Sequence, residues 1–221
     1  MPDANPGKLE RIRAFGATVC LEGADFDEAR VAADRFAADT GAHLLIDGED
    51  PWVAVGAGTL ALELTDAIES SVLPDLAAAY IPVGNGALIA GVGTWLRAAA
   101  PGCRVIGVQS DGAPSMTLSW REGRPIETPT TGTRAGGIAT RVPVPEALEM
   151  MAGVVDDMVL VSEGQIADAQ PILRAATGVT VELAAAASLA GALAYPPGGA
   201  GAVMLLVTGS NAEPDPSGGV P

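Results

Sequence analysis

The chain has 221 residues, with 27 acidic side chains against 12 basic ones and a formal charge of -15 at pH 7. Apolar residues make up 48% and mean hydropathy is +0.32, enough material for a real core, so wholesale disorder is excluded. Such an acidic surface repels phosphate backbones and anionic lipid, which excludes nucleic acid and membrane surfaces as partners. The length fits one domain or two small ones. Lys8 is the only lysine, and every other basic residue is arginine.

The predicted elements alternate between helix and strand. An opening helix closes over Arg11 to Phe15 with Gly16 suited to its C′ position, and Ala17 to Leu21 reads as a buried strand. Asp25 and Glu28 have capping-box spacing ahead of a helix whose apolar residues Phe26, Ala29, Ala33 and Phe36 keep helical phase. Gly41 ends that helix, and His43 to Ile46 reads as a second short strand. Residues 47–51 (DGEDP) form a loop suited to a domain crossing.

From Thr59 the pattern predicts a helix to about Ser70, then a strand at Ala78 to Val83, a glycine-rich turn at 84–88 and a helix to Ala100. Cys103 to Gln109 is the next strand and Ser115 to Glu122 a short helix. Residues 123–143, rich in Thr, Gly and Pro, read as a long functional loop. Pro145 opens a helix, Met158 to Val161 is a strand, and Ser162 with Gln165 forms a capping box for a helix that Pro171 is expected to kink or break near Gln170. A helix over Val181 to Ala194 and a strand over Val203 to Thr208 complete the series, and the tail after Glu213 is expected to be mobile. Strands separated by helices imply parallel sheets covered on both faces, an α/β fold that binds ligands beyond the carboxyl ends of its strands.

Other chemistry is sparse. Cys20 and Cys103 lie in apolar runs and are expected to be buried thiols, and no signal peptide is evident, so a reducing, cytoplasmic location is expected. His43 stands alone in an apolar run, without metal-ligand spacing, and reads as structural. Trp52, Trp95 and Trp120 read as packing residues. The acids at 25, 27 and 28, and the pair Asp156 and Asp157, read as solvated helix ends rather than acid/base dyads. Pro196 to Gly199 divide the uncharged stretch 183–211 into a helix and a strand, so it does not read as a membrane span.

Two strand ends stand out: Val83 followed by Gly84-Asn85-Gly86-Ala87-Leu88, and Val207 followed by Thr208-Gly209-Ser210-Asn211. Glycines between a strand and a helix let an anion approach free backbone N–H groups at the helix start, where the helix dipole favours negative charge. Phosphate is the natural guest. The same glycines also serve a tight turn and close helix–sheet packing, and composition alone leaves both readings open. Dinucleotide binding fits poorly, because glycines at 84, 86 and 91 miss the usual third position and no acid closes the strand at Gln109.

Seven segments carry a more specific signal. Residues 5–17 (NPGKLERIRAFGA), 56–63 (GAGTLALE), 81–91 (IPVGNGALIAG), 107–116 (GVQSDGAPSM), 135–139 (AGGIA), 177–182 (TGVTVE) and 208–211 (TGSN) resemble, in this order, segments of the threonine/serine dehydratase group of pyridoxal-phosphate enzymes, fold type II. The resemblance implies two parallel-sheet α/β domains, the first incomplete: residues 1–58 as a remnant of the smaller domain, 59–212 as the larger cofactor-binding domain and 213–221 as a flexible tail. It implies pyridoxal 5′-phosphate as cofactor, with Gly84, Asn85, Gly86, Ala87 and Leu88 forming the phosphate cup, Thr208 facing the pyridine nitrogen and Glu182 near the ring. Asn85 and Ala87 depart from the family's nearly all-glycine run.

The family's chemistry depends on a Schiff-base lysine in a Ser-Phe-Lys-like motif ahead of an Asn-containing loop, and both motifs are absent here. Lys8 matches an ordinary helix position instead, so no catalytic residue is assigned. No metal site is expected, since Gly132 and Gly136 stand where acidic ligands would be. The resemblance implies a lyase that eliminates water from a hydroxy amino acid to yield a 2-oxo acid and ammonia, inactive in this chain alone. The alternative is a non-catalytic phosphate-binding or interaction module. A small amino-acid substrate, a homo-oligomer or a complementing N-terminal polypeptide are the expected partners. Without the missing segment, sheet edges and apolar helix faces are expected to be uncovered; a monodisperse, cooperatively melting monomer would contradict that.

Overall fold

The structure, a computed structural model, describes residues 4–70, 74–198 and 200–210. The expected tail at 213–221 and Asn211 lie outside the described residues. The chain divides into two compact units between Ile46 and Asp47.

The first unit is helical. Helix α1 (Pro6–Ala14) starts where Asn5 Oδ1 accepts the N–H groups of Gly7 and Lys8, with Pro6 in the first turn, and Gly16 follows it at φ +83°. Helix α2 (Phe26–Thr40) starts with the Asp25 carboxylate accepting Glu28 N–H at 2.8 Å and ends at left-handed Gly41, as its sequence predicts. The strands expected at Ala17–Leu21 and His43–Ile46 do not form: neither segment joins a ladder, and most of their residues are exposed. A strand's backbone groups need a neighbouring strand, and none pairs with them among the described residues. Cys20 is correspondingly exposed rather than buried. Among the described residues of this unit only Asp27 is buried, and Phe15 (89% exposed), Phe36 and Leu45 stand open.

The second unit opens with helix α3 (Pro51–Glu69), capped by Asp50 Oδ1 on Trp52 N–H at 2.8 Å. It begins eight residues earlier than the helix predicted from Thr59, so the boundary expected between residues 58 and 59 lies inside it. Gly56 and Gly58 weaken the helical signal, but Gly58 is the crossing point with the next helix. Then follow strand β1 (Leu76–Pro82), helix α4 (Ala87–Ala99), strand β2 (Arg104–Ser110) and helix α5 (Ser115–Glu122), then a long segment whose only regular turn is 3-10 (Gly136–Ile138). Helix α6 (Pro145–Met151), strand β3 (Asp157–Val161), helix α7 (Glu163–Thr177), helix α8 (Leu183–Ala194) and strand β4 (Ala202–Leu205) complete it. Helix α7 runs unbroken through Pro171, which is exposed, while Ile166, Ala169 and Leu173 bury the opposite stripe; packing outweighs a cost of roughly 3 kcal/mol for a mid-helix proline.

The four strands are all parallel in the order β3-β2-β1-β4, registered by Ala79 on Val105 and Met204 and by Val108 on Val159. Period-two alternation separates two cores. Ala79, Ile81, Val105 and Met158 pack with α3, α4, α5 and α6 on one face, and Ala78, Tyr80, Ile106 and Val159 pack with α7 and α8 on the other. Asp156 is a brace rather than a solvated acid: its carboxylate accepts Val105 N–H at 2.7 Å and pairs with Arg97 at 2.6 Å. Trp95 Nε1 donates to Thr65 Oγ1 at 2.9 Å, whereas Trp52 is 77% exposed instead of packed. No described helix is long and apolar enough to cross a membrane.

Candidate active site

The chain runs from β1 to β2 and β3 on one side and returns to place β4 on the other side of β1. This reversal makes a crevice at the carboxyl ends of β1 and β4, the position at which open α/β sheets bind ligands. A cleft of about 270 Å³ lies there, near the small end of the range usual for small-molecule sites. Its lining comes from several separate chain segments. Residues 84–88 follow β1, Thr208 follows β4, Glu182 and Ala184 open α8, and Gly137 with Ile138 come from the long segment; Asp47, Val53, Ala57 and Pro82 complete it. All seven residues expected to hold a cofactor therefore line one cleft.

The cup is the start of α4. Gly86 occupies the N-cap position at φ +100°, and no side chain caps the helix. The first N–H groups of a helix have no acceptor within it, so this end offers donors and the positive end of the dipole to an anion. The two glycines are required by the protein itself. A Cβ on Gly84 would lie 2.7 Å from the Gly137 carbonyl oxygen, and one on Gly86 would meet Met151 Sδ at 2.9 Å. The turn-and-packing reading of these glycines therefore holds, and it leaves the helix start open. Asn85 is buried, its Oδ1 accepting Thr140 Oγ1 at 3.4 Å, and Ala87 is buried too. Both departures from glycine are accommodated inside the protein.

Glu182 is half-buried at the start of α8. Its backbone N–H donates to the Gly209 carbonyl at 3.2 Å, and its Oε1 lies 2.4 Å from where a Gly209 Cβ would stand. Gly209, at φ +97°, is thus needed both for its backbone conformation and for this close approach. Asp47 was not expected here. Desolvation in the cleft raises its carboxyl above the ordinary aspartate value, although the residue as a whole is exposed. Gly137 and Ile138 were not named as site residues either, yet the resemblance at 135–139 was the signal that could have found them. Among the fourteen lining residues there is no lysine, arginine or histidine.

An α/β unit with an uncapped helix start and a threonine lining one strand-end crevice has the makings of a small anionic-ligand site. The comparisons place it more closely. Residues 1–209 match the family model for pyridoxal-phosphate dependent enzymes, and the chain belongs to that family. It is 39% identical over 194 residues to an L-threonine ammonia-lyase of Geobacter sulfurreducens, covering 87% of this chain and 47% of that protein. It is 37% identical over 214 residues to an L-threonine ammonia-lyase of Thermotoga maritima, covering 96% of this chain and 52% of that protein. The chain thus spans about half the length of these curated relatives. Among solved structures, a threonine deaminase from T.th. superposes with a TM-score of 0.86 at 30% identity, covering 96% of this chain and 69% of that one. The processed threonine deaminase isoform 2 of Solanum lycopersicum superposes with a TM-score of 0.83 at 32% identity, covering 97% and 58%. The fold is that of fold type II pyridoxal-phosphate enzymes with the first domain partial. The family's cofactor is pyridoxal phosphate. The cleft fits it at the phosphate end, through the open α4 start, and offers a neutral hydroxyl at Thr208; it offers no amine.

Proposed function

We propose that this chain is the cofactor-phosphate-binding part of a threonine/serine dehydratase-type ammonia-lyase, with residues 4–46 belonging to the family's smaller domain. The observation that carries the reading is the convergence of residues 84–88, Glu182 and Thr208, from separate chain segments, on one strand-end cleft. Bound pyridoxal phosphate supplies the electron sink that lets a hydroxy amino acid lose its α-proton and β-hydroxyl. The backbone N–H groups at the α4 start hold the phosphate. Thr208 would offer the ring nitrogen a neutral hydroxyl, a partner that suits the modest electron sink of an elimination. Glu182 would lie beside the ring at the start of α8.

The chain alone is inactive in this reading, because Lys8 is its only lysine and a Schiff base needs an amine. A complementing polypeptide that carries the lysine, or a homo-oligomer, covers the apolar residues exposed in the first unit, and the substrate is a small hydroxy amino acid. The absent lysine equally favours the second reading, a non-catalytic phosphate-binding module.

Titrating the chain with pyridoxal phosphate, pyridoxal and inorganic phosphate tests the site. Pyridoxal phosphate is expected to bind at least about tenfold more tightly than pyridoxal, in competition with phosphate, and borohydride is expected to trap no adduct. Equal binding of the two vitamers would remove the cup, and an adduct on Lys8 would overturn the assignment of that residue. Release of 2-oxo acid from threonine or serine only after a lysine-bearing segment is added separates the enzyme from the module.

A further inference from the structure

The segment between α5 and α6 has little regular structure, yet its backbone is a wall of the cleft: the Gly137 carbonyl lies 2.7 Å from where a Cβ on Gly84 would be. Its ends are tied down by Gly132 N–H on the Gly112 carbonyl at 2.7 Å and by Ser115 Oγ on the Thr140 carbonyl at 2.7 Å. Between them, the side chain holding it is Glu163. Oε1 accepts Thr133 Oγ1 at 2.5 Å and Ser110 Oγ at 3.1 Å, and Oε2 accepts Arg134 N–H at 3.0 Å. The Thr133 hydroxyl in turn accepts Ala135 N–H at 3.0 Å, and the Ala135 carbonyl accepts Ile138 N–H at 2.9 Å, closing the turn that presents Gly137. The Arg134 guanidinium, 3.6 Å from Oε2 and 70% exposed, adds little.

Glu163 is well placed to be an anchor. It is the first residue of α7, where the dipole favours its charge, and the reciprocal Ser162–Gln165 capping box fixes that helix start. Both oxygens are in use; an amide in their place accepts Arg134 N–H and donates to the Thr133 hydroxyl only through neutral bonds, about half as strong as the charge-assisted pair. We propose that Glu163 is a positioning residue: its carboxylate sets the 132–138 wall against Gly84 and thereby sets how tightly the cup holds a phosphate-bearing ligand. This rests on the reading of the cleft as a phosphate site.

The test uses the 221-residue chain with Glu163→Gln, Thr133→Val and both together. Three readouts are followed: tryptic cleavage after Arg134, amide exchange at 134–138, and affinity for pyridoxal phosphate and for inorganic phosphate. Each single variant is expected to speed cleavage and exchange in the segment. Each should also weaken both probes by about tenfold, the loss of one charge-assisted hydrogen bond. The double variant is expected to be no worse than Glu163→Gln, because the two residues act as one path. Unchanged cleavage and exchange would overturn the anchor. A loosened segment with unchanged affinities, or additive losses, would overturn its link to the cup. If the unsubstituted chain binds neither probe, the site reading falls and this proposal with it. Thr133→Val leaves the carboxylate in place, so it decides the matter should Glu163→Gln fail to fold.

Discussion

Helices α3 and α4 cross backbone to backbone, and Gly91 is where this can be measured. A Cβ at Gly91 would lie 1.8 Å from the Ala54 carbonyl oxygen and 2.9 Å from Gly58 N, against 3.4 Å or more for ordinary contact. No flexible side chain stands in the way, so only a shift of one helix can relieve Gly91→Ala. Overpacking by a methyl group costs about 1–3 kcal/mol where side chains can yield. A forced separation of about 1.6 Å also opens the packing of Ala54 and Ala61 against α4. Together these cost about 4 kcal/mol, offset by about 1 kcal/mol of helix propensity gained from glycine to alanine. A net loss of about 3 kcal/mol lowers the urea midpoint of the second unit by about 1 M or more at an m-value near 3 kcal/mol/M. Gly56→Ala, on the facing helix α3 with nothing within 4 Å of its Cβ position, is expected to raise stability by the propensity gain alone, about 1 kcal/mol. Urea unfolding followed by circular dichroism, with amide exchange of α4 and β1 as the local reporter, separates the two. If Gly91→Ala unfolds at or above the urea concentration of the parent, the close crossing is wrong.

Three further outcomes are expected. Cys20 is exposed, whereas burial, with Asp156 adding to it, pushes the Cys103 thiol up to about 11; at pH 8 a thiol reagent should therefore titrate one cysteine rapidly and the second only in denaturant. Burial alone would raise the Glu163 carboxyl, but the hydrogen bonds from Thr133, Arg134 N–H and Ser110 hold it below its ordinary 4.5. A lowered folded-state value gives stability that is present above about pH 4.5 and lost as pH falls below it, so Glu163→Gln should flatten the acid limb of the stability profile and change nothing below it. Asp47 has the opposite sign: its raised value costs stability as pH rises through its ordinary 3.8, so Asp47→Asn should stabilise the chain at pH 7 and not at pH 3, and should tighten phosphate binding.

Much of the second unit was legible locally. The bounds of α5, the Ser162–Gln165 capping box and the β1–turn–α4 passage follow from caps, glycines and apolar runs that neighbours in sequence decide. What escaped depends on partners distant in the chain. Ala17–Leu21 has a strand's composition but no ladder, because strand pairing is not a property of the segment. Gly56 and Gly58 look like helix breakers until Gly91 is seen to press on Gly58. Pro171 survives in α7 because Ile166, Ala169 and Leu173 bury the other side. In the cleft, residues 84–88, Thr208 and Glu182 were readable from ordered motifs. Asp47 was not, since an acid in an Asp-Gly-Glu-Asp-Pro loop carries no sign of facing a cup.

The composition of the cleft constrains how it can bind at all. Phosphate sites commonly draw on arginine or lysine, whose charge attracts over a distance and tolerates loose geometry. Here the lining has Asp47 and Glu182 and no cationic side chain. On the proposed reading, attraction for phosphate comes from backbone dipoles at the start of α4, which fall off within a turn and act only on a closely fitted anion. Affinity is then a matter of fit more than of charge. Fit is set by what closes the cup, namely Gly84 under the Gly137 carbonyl and a turn held through Thr133 to a carboxylate on another helix. In a basic pocket a displaced wall would be a minor loss; in this acidic one it removes the feature on which binding depends.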